Sequence, residues 1–425
     1  MKNVFLCGVL YVAFMFAGCS GSDQMQGQLT GVETQDEWRS INPFGMVYIP
    51  SGTLHIGQAD QDVNATLTQR SKAISIQGFY MDDTEITNNE YRQFVDWVRD
   101  SIALTKLDAF IDSEDGSQRL DWSYPIDWSA ESEDASALKS MYYSGDDQFW
   151  GRQELDPRQL TFAFEWYDWK EAAKNHKTYT DVASRKAYIH REEVPIYPDT
   201  LVWIADFSYS YNEPMTRNYF WHPAFDDYPV VGVNWNQANA FCGWRTKLWN
   251  DYANEYGETM GEDFRLPFEH EWEYASRGGL EGAPYPWGGP YIRNSKGCLL
   301  ANFKPGRGDY PEDGGFYTVK VGSYNANDYG LYDMSGNVSE WTSSAYFENA
   351  YSFIHDMNPD IRWDAQEDDP ITLRRKVIRG GSWKDIGYYL QTGTRHWEYQ
   401  DTAKSYIGFR CTLTFLGRSM GDFAN

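Results

Sequence analysis

The sequence predicts an irregular, turn-rich α+β fold: a single domain of low secondary-structure content that carries one large insertion. Three observations predict it. Two stretches space apolar residues as amphipathic helices do, and several short runs are β-prone. From 280 to 425 the chain is crowded with turn signals such as Gly288-Gly289, Gly314-Gly315 and Gly380-Gly381. Between about 101 and 227 regular periodicity lapses over a length far beyond an ordinary loop. Gly (36) and Pro (17) sit close to average usage in 425 residues, which excludes disordered and collagen-like classes.

Taken in order, Lys2 precedes an apolar run from Val4 to Phe16, then Ala17-Gly18-Cys19. This reads as a secretory signal, too short for a permanent span. Small residues directly before Cys19 resemble a bacterial lipobox, which implies a lipidated Cys19 and a membrane anchor without a transmembrane helix. Residues 1–18 are then the signal peptide, 19–42 a lipidated flexible tether and 43–425 the domain. Within the domain, 46–57 holds two β-prone runs around Pro50-Ser51 and predicts a hairpin, and 73–81 alternates like one strand. Thr87-Asn88-Asn89-Glu90 is a capping box, followed by Tyr91, Phe94, Val95 and Val98 on one helix face. In the insertion, aromatics cluster from 162 to 169, and Tyr197-Pro198-Asp199-Thr200-Leu201-Val202-Trp203-Ile204 predicts a turn and a strand. A strand over 228–235 ends at an Asn cap and leads into a helix through Ala238, Phe241, Trp244 and Leu248. A second helix spans 269–277, closed by Gly278-Gly279. Little regular helix or strand is expected beyond 280.

Composition narrows the function. With 37 basic and 62 acidic side chains the net charge is −25, which excludes nucleic acid as a partner because such binding rests on phosphate neutralisation. Aromatics reach 17%, so flat side chains with polar tips are available for contact. Of five cysteines, Cys7 leaves with the signal and Cys19 carries lipid, while Cys242, Cys298 and Cys411 allow one disulfide and one leftover thiol. His270-Glu271-Trp272-Glu273-Tyr274 lacks the second histidine of a zinc-protease helix. Ser382 does not sit in a GxSxG elbow, and no phosphate-cradling glycine motif occurs.

The ordered segments 46–57, 79–88, 229–235, 265–275, 285–288, 329–341 (Tyr-Gly-Leu-Tyr-Asp-Met-Ser-Gly-Asn-Val-Ser-Glu-Trp), Arg379-Gly380-Gly381-Ser382-Trp383 and 407–411 together resemble the formylglycine-generating-enzyme (sulfatase-modifying factor) family. That resemblance implies the family's irregular, C-type-lectin-related fold. Family enzymes bind copper through two cysteines after the Gly-Gly-Ser; here Asp385 and Leu390 stand there, and neither is a soft ligand. No copper and no formylglycine generation are therefore expected, and Ser382, Asp385, Leu390 and Arg395 form a degenerate active site. The resemblance further implies structural Ca²⁺ at two oxygen-rich loops, Asn302, Phe303, Asp313 and Gly315, and Ser335, Gly336, Val338 and Glu340. It also implies a Cys242–Cys411 disulfide. The lipobox, the missing cysteines and the runs 197–203 and 208–223 resemble the GldK/PorK lipoproteins of type IX secretion and gliding motility. That likeness implies a non-catalytic periplasmic ring tethered to the outer membrane, self-associating and joined to a GldN/PorN-type protein and other secretion-system components. A glycan-binding or glycan-processing surface lipoprotein and a divergent metal-dependent oxygenase are the competing readings.

Overall fold

The first four strands, β1 (Met46–Ile49), β2 (Gly52–Ile56), β3 (Lys72–Ile76) and β4 (Phe79–Asp82), form two nested antiparallel ladders. β2 pairs with β3 and β1 with β4, so the expected hairpin over 46–57 is corrected: Pro50-Ser51 carries the chain from one ladder to the other. Leu54 and Ile56 turn toward Ile74 and Ile76 in a core that also holds Trp272, a non-local match that outweighs the local turn. The single strand expected over 73–81 breaks at Gln77-Gly78, where a Cβ on Gly78 would come within 3.1 Å of the Tyr48 hydroxyl. This computed structural model describes residues 42–417, apart from 58–70, 113–115, 117, 130, 175–181, 209–212, 257–260, 307–310, 312–313 and 367. The signal, Cys19 and all of the tether before Asn42 lie outside the described residues.

Helix α1 (Asn88–Lys106) starts where its sequence directs: the Glu90 amide donates to Thr87 Oγ1 and the Thr87 amide to Glu90 Oε2, closing both halves of the capping box. It continues past 101, where the insertion was placed, to Lys106. Hairpins β5 (Phe110–Asp112) with β6 (Gln118–Leu120) and β7 (Thr161–Tyr167) with β8 (Ile189–Pro195) give the insertion its regular pieces. The strand expected over 197–204 is instead a short helix, Val202–Asp206. Its Trp203 stacks on Trp383, ring centres 5.8 Å apart, and that tertiary contact overrides a β-prone composition.

Residues 228–235 make no strand. Val230 donates to Ile86 O and Gly232 to Lys404 O, so the segment is tied at single points to two neighbours. Helix α2 (Trp235–Tyr256) follows, with Asn234 and Gln237 exchanging reciprocal hydrogen bonds of 2.9 Å at its start. It packs on α1 through Tyr91 stacked on Phe241. Helix α3 (Glu269–Arg277) ends at Gly278 in the left-handed region, φ 58°.

Beyond 280 regular structure is sparse, as the turn density predicts, and the strands among the described residues there are five short ones. Strands β9 (Ser339–Ala345), β10 (Arg375–Arg379), β11 (His396–Tyr399) and β12 (Ile407–Gly408) form a sheet of order β11-β10-β9-β12, and β13 (Thr412–Thr414) completes the first sheet as β1-β4-β13. All seven β9 residues are buried, so the alternation that betrays a half-buried strand is missing.

Candidate functional site

The loop that follows β10 holds the four residues of the degenerate site, and the structure gives each a settled structural contact. Ser382 is fully buried; its hydroxyl donates to Asp385 Oδ2 at 2.6 Å and its amide donates to the same oxygen at 3.0 Å. Asp385 therefore caps a turn. Leu390 is fully buried against Tyr285, Leu299, Ala301 and Phe303. Gly381, φ 67°, allows the backbone of Tyr389 to approach so closely that a Cβ would lie 2.8 Å from its carbonyl oxygen. The insertion closes over this loop: Trp203 and Phe207 both stack on Trp383, and Asp206 accepts from Lys384 Nζ at 2.7 Å.

Arg395 belongs to a buried charge network that the sequence does not announce. Its guanidinium pairs with Glu269, Nη2 to Oε2 at 2.9 Å, and donates to Phe347 O. Arg379 Nη2 bonds Glu269 Oε1 at 2.6 Å, Glu273 at 3.1 Å and the Tyr351 hydroxyl at 3.2 Å, and Arg277 joins Glu273 at 2.7 Å. Burial pushes Glu269 toward neutrality, but the Arg395 and Arg379 guanidiniums outweigh it and hold its carboxyl down at about 2. Charges this deep persist only when mutually paired.

The two expected calcium loops come together. Asn337 N donates to Asn302 O at 2.8 Å, and Gly336, φ 85°, sits so close that a Cβ there would meet Asn302 O at 2.4 Å. Asn302 Oδ1 accepts from Gly315 N and its Nδ2 donates to Tyr317 O, while Asp313 lies outside the described residues. Ser335 Oγ donates to Leu390 O, which links these loops to the degenerate site. Glu340 suits calcium poorly. Its oxygens take Arg410 Nη2, Arg410 Nε and Trp272 Nε1, each at 2.7 Å, so its charge is already neutralised. Val338 offers its amide to Glu85 Oε1 at 3.0 Å, and Glu85 also accepts from Asn337 Nδ2 at 2.6 Å. Burial, then the nearby Asp333 and Glu340, raise the Glu85 carboxyl well above its usual range. Glu85 and Arg410 escape a sequence reading because their partners lie far along the chain. Among the described residues no group of three or more His, Cys, Asp or Glu side chains converges as a metal site. The sulfurs of Cys242 and Cys411 lie 3.5 Å apart, both buried, as two thiols in contact; Cys298 is exposed.

Comparison with known proteins places this architecture. The family model described as the sulfatase-modifying factor enzyme 1-like domain matches residues 33–415. The chain is 35% identical over 202 residues to the inactive C-alpha-formylglycine-generating enzyme 2 of Bos taurus, covering 46% of this chain and 53% of that protein. It thus spans about half the length of that relative. It is 27% identical over 387 residues to the formylglycine-generating enzyme of Bos taurus, covering 89% of this chain and 77% of the other. Among solved structures, PvdO from Pseudomonas aeruginosa superposes with a TM-score of 0.47 at 16% identity, covering 87% of this chain and 94% of that one. By the match over 33–415 the chain belongs to the sulfatase-modifying factor family.

Proposed function

We propose that this protein is a non-catalytic scaffold: a lipoprotein of the GldK/PorK type, anchored through Cys19 to the outer membrane on its periplasmic face. There it would build a ring of its own copies with a GldN/PorN-type protein and other components of type IX secretion and gliding. One observation carries the non-catalytic part. At the two positions where cysteine oxidation needs thiolates, Leu390 is sealed in a hydrophobic cluster and Asp385 is committed to Ser382. Relatives named inactive on the same scaffold support it, since fold alone does not carry activity. The aromatic insertion across the loop supports a surface turned to contact instead of chemistry. Calcium belongs to the proposal at the 302–315 loop, with Asp313 as its carboxylate, and so does a Cys242–Cys411 disulfide.

Incubating the purified protein with a sulfatase-type cysteine peptide and copper, then weighing the peptide by mass spectrometry, tests the first part. No aldehyde product is expected, and its appearance would overturn the reading. Particle imaging of complexes released from native membranes tests the second, where rings containing this chain and a periplasmic partner are expected.

A further inference from the structure

The acidic charge of this chain is not evenly spread. Residues 108–168 hold fifteen acidic and four basic side chains, a net −11 against −25 for the whole sequence. The same stretch exposes a set of large apolar side chains. Trp150 is 87% exposed and Phe149 61%, their ring centres 6.1 Å apart, and Trp150 stands in the left-handed region at φ 56°, a costly backbone for a bulky residue. Nearby in sequence, Trp122, Tyr124 and Trp128 line an open cleft against α1, with Asp100 as its carboxylate. The cleft already shows its chemistry: Arg99 pairs with Asp100 at 2.8 Å and lays its guanidinium over Trp128, 5.2 Å from the ring centre. Trp122 (50% exposed) packs against Trp97, ring centres 5.2 Å apart, and Tyr124 (38%) donates its hydroxyl to Asp134 at 3.1 Å, and each keeps part of its ring open to solvent.

We propose that the 108–168 lobe is a docking surface for a basic segment of a partner protein, whose Arg or Lys side chains stack on Trp122 and Tyr124 in the Asp100 cleft. Open aromatic faces suit a cation through the ring quadrupole, and the net −11 of the lobe adds attraction through charge, Asp100 itself being already shared with Arg99. Charge decides the occupant. A second copy would set −11 against −11, and an anionic lipid surface would be repelled in the same way. The inference deepens the scaffold reading by giving the chemistry of its partner, and its test is independent of the aldehyde and imaging tests.

The full chain is titrated, by tryptophan fluorescence and calorimetry, with a peptide of about ten residues alternating arginine and serine, a matched glutamate peptide, a chitin oligosaccharide and phosphatidylglycerol vesicles. The arginine peptide alone is expected to bind, more weakly as salt rises. Replacing Trp122 and Tyr124 by Ala leaves net charge untouched and is expected to weaken binding at least about fivefold. Asp100→Asn, which keeps the cleft shape, is expected to weaken it less, and both variants should melt near the parent. Equal binding by the variant lacking Trp122 and Tyr124 would show unspecific attraction of a polycation and overturn the proposal. So would absence of binding, or binding of the saccharide or vesicles in place of the peptide. Rings found in membranes while the arginine peptide fails would leave the scaffold standing and remove only this docking surface.

Discussion

Leu390 shows how much of the loop after β10 rests on one side chain. Leu390 anchors a cluster with Phe303, Leu299 and Tyr285, and Leu390→Ala should cost about 2–5 kcal/mol in denaturant unfolding. A smaller loss would show that the cluster relaxes around the gap. Asp333 gives a prediction in pH. Burial raises its carboxyl from 3.8 to about 6, against its hydrogen bond from Gly322 and the Arg410 charge. The folded state therefore binds the proton more tightly than the unfolded one. This contribution is full below about pH 4 and fades as pH rises through 6, and the excess is on the order of 3 kcal/mol. Asp333→Asn, which also suits φ 55°, should flatten stability against pH over that window relative to the parent, as followed by urea midpoints.

At the scale of elements, the proposed bridge between Cys242 in α2 and Cys411 before β13 is the natural test. Intact mass before and after reduction should differ by two hydrogens, with Cys298 the one thiol of the three that alkylates without reductant. Substituting both Cys242 and Cys411 by Ser should lower stability by about 2–4 kcal/mol. Free alkylation of all three under denaturing, non-reducing conditions would remove the bridge.

What the sequence disclosed about elements follows distance along the chain. The Thr87–Glu90 box and the Gly278 stop are local devices, and both stand where they were read. β1 was mispaired because Met46–Ile49 finds its partner at Phe79–Asp82, and no turn residue encodes that choice. Val202-Trp203-Ile204 looked like a strand because its composition is β-prone, yet Trp383 lies 180 positions further on and its ring decides the conformation. Asp385 and Leu390 drew notice in the sequence for what they cannot ligate, and the structure adds that one caps a turn at Ser382 and the other fills a hydrophobic cluster. The network around Glu269 was not legible, since arginines at 277, 379 and 395 meet it only in three dimensions.

For the whole molecule, the proposed calcium gives a direct measurement. Chelation should lower the melting temperature through mass action, and Asp313→Ala should abolish that response. Glu340→Gln should leave the response in place while unfolding the protein more easily, because Arg410 loses its buried partner. A melt that chelator does not move would remove calcium from the proposal. The architecture also sets an order of events in time. β13 joins β4, Thr412 and Arg265 exchange backbone bonds, and β12 lies parallel to β9, so the earliest strands are stitched to residues near 410. Neither principal sheet is complete until those last residues exist. A chain cut short near 405 should therefore stay protease-sensitive, as limited proteolysis would show. During synthesis the same stitching delays closure of both sheets until the residues near 410 have left the ribosome, so the strands made first wait the longest time for their last partners.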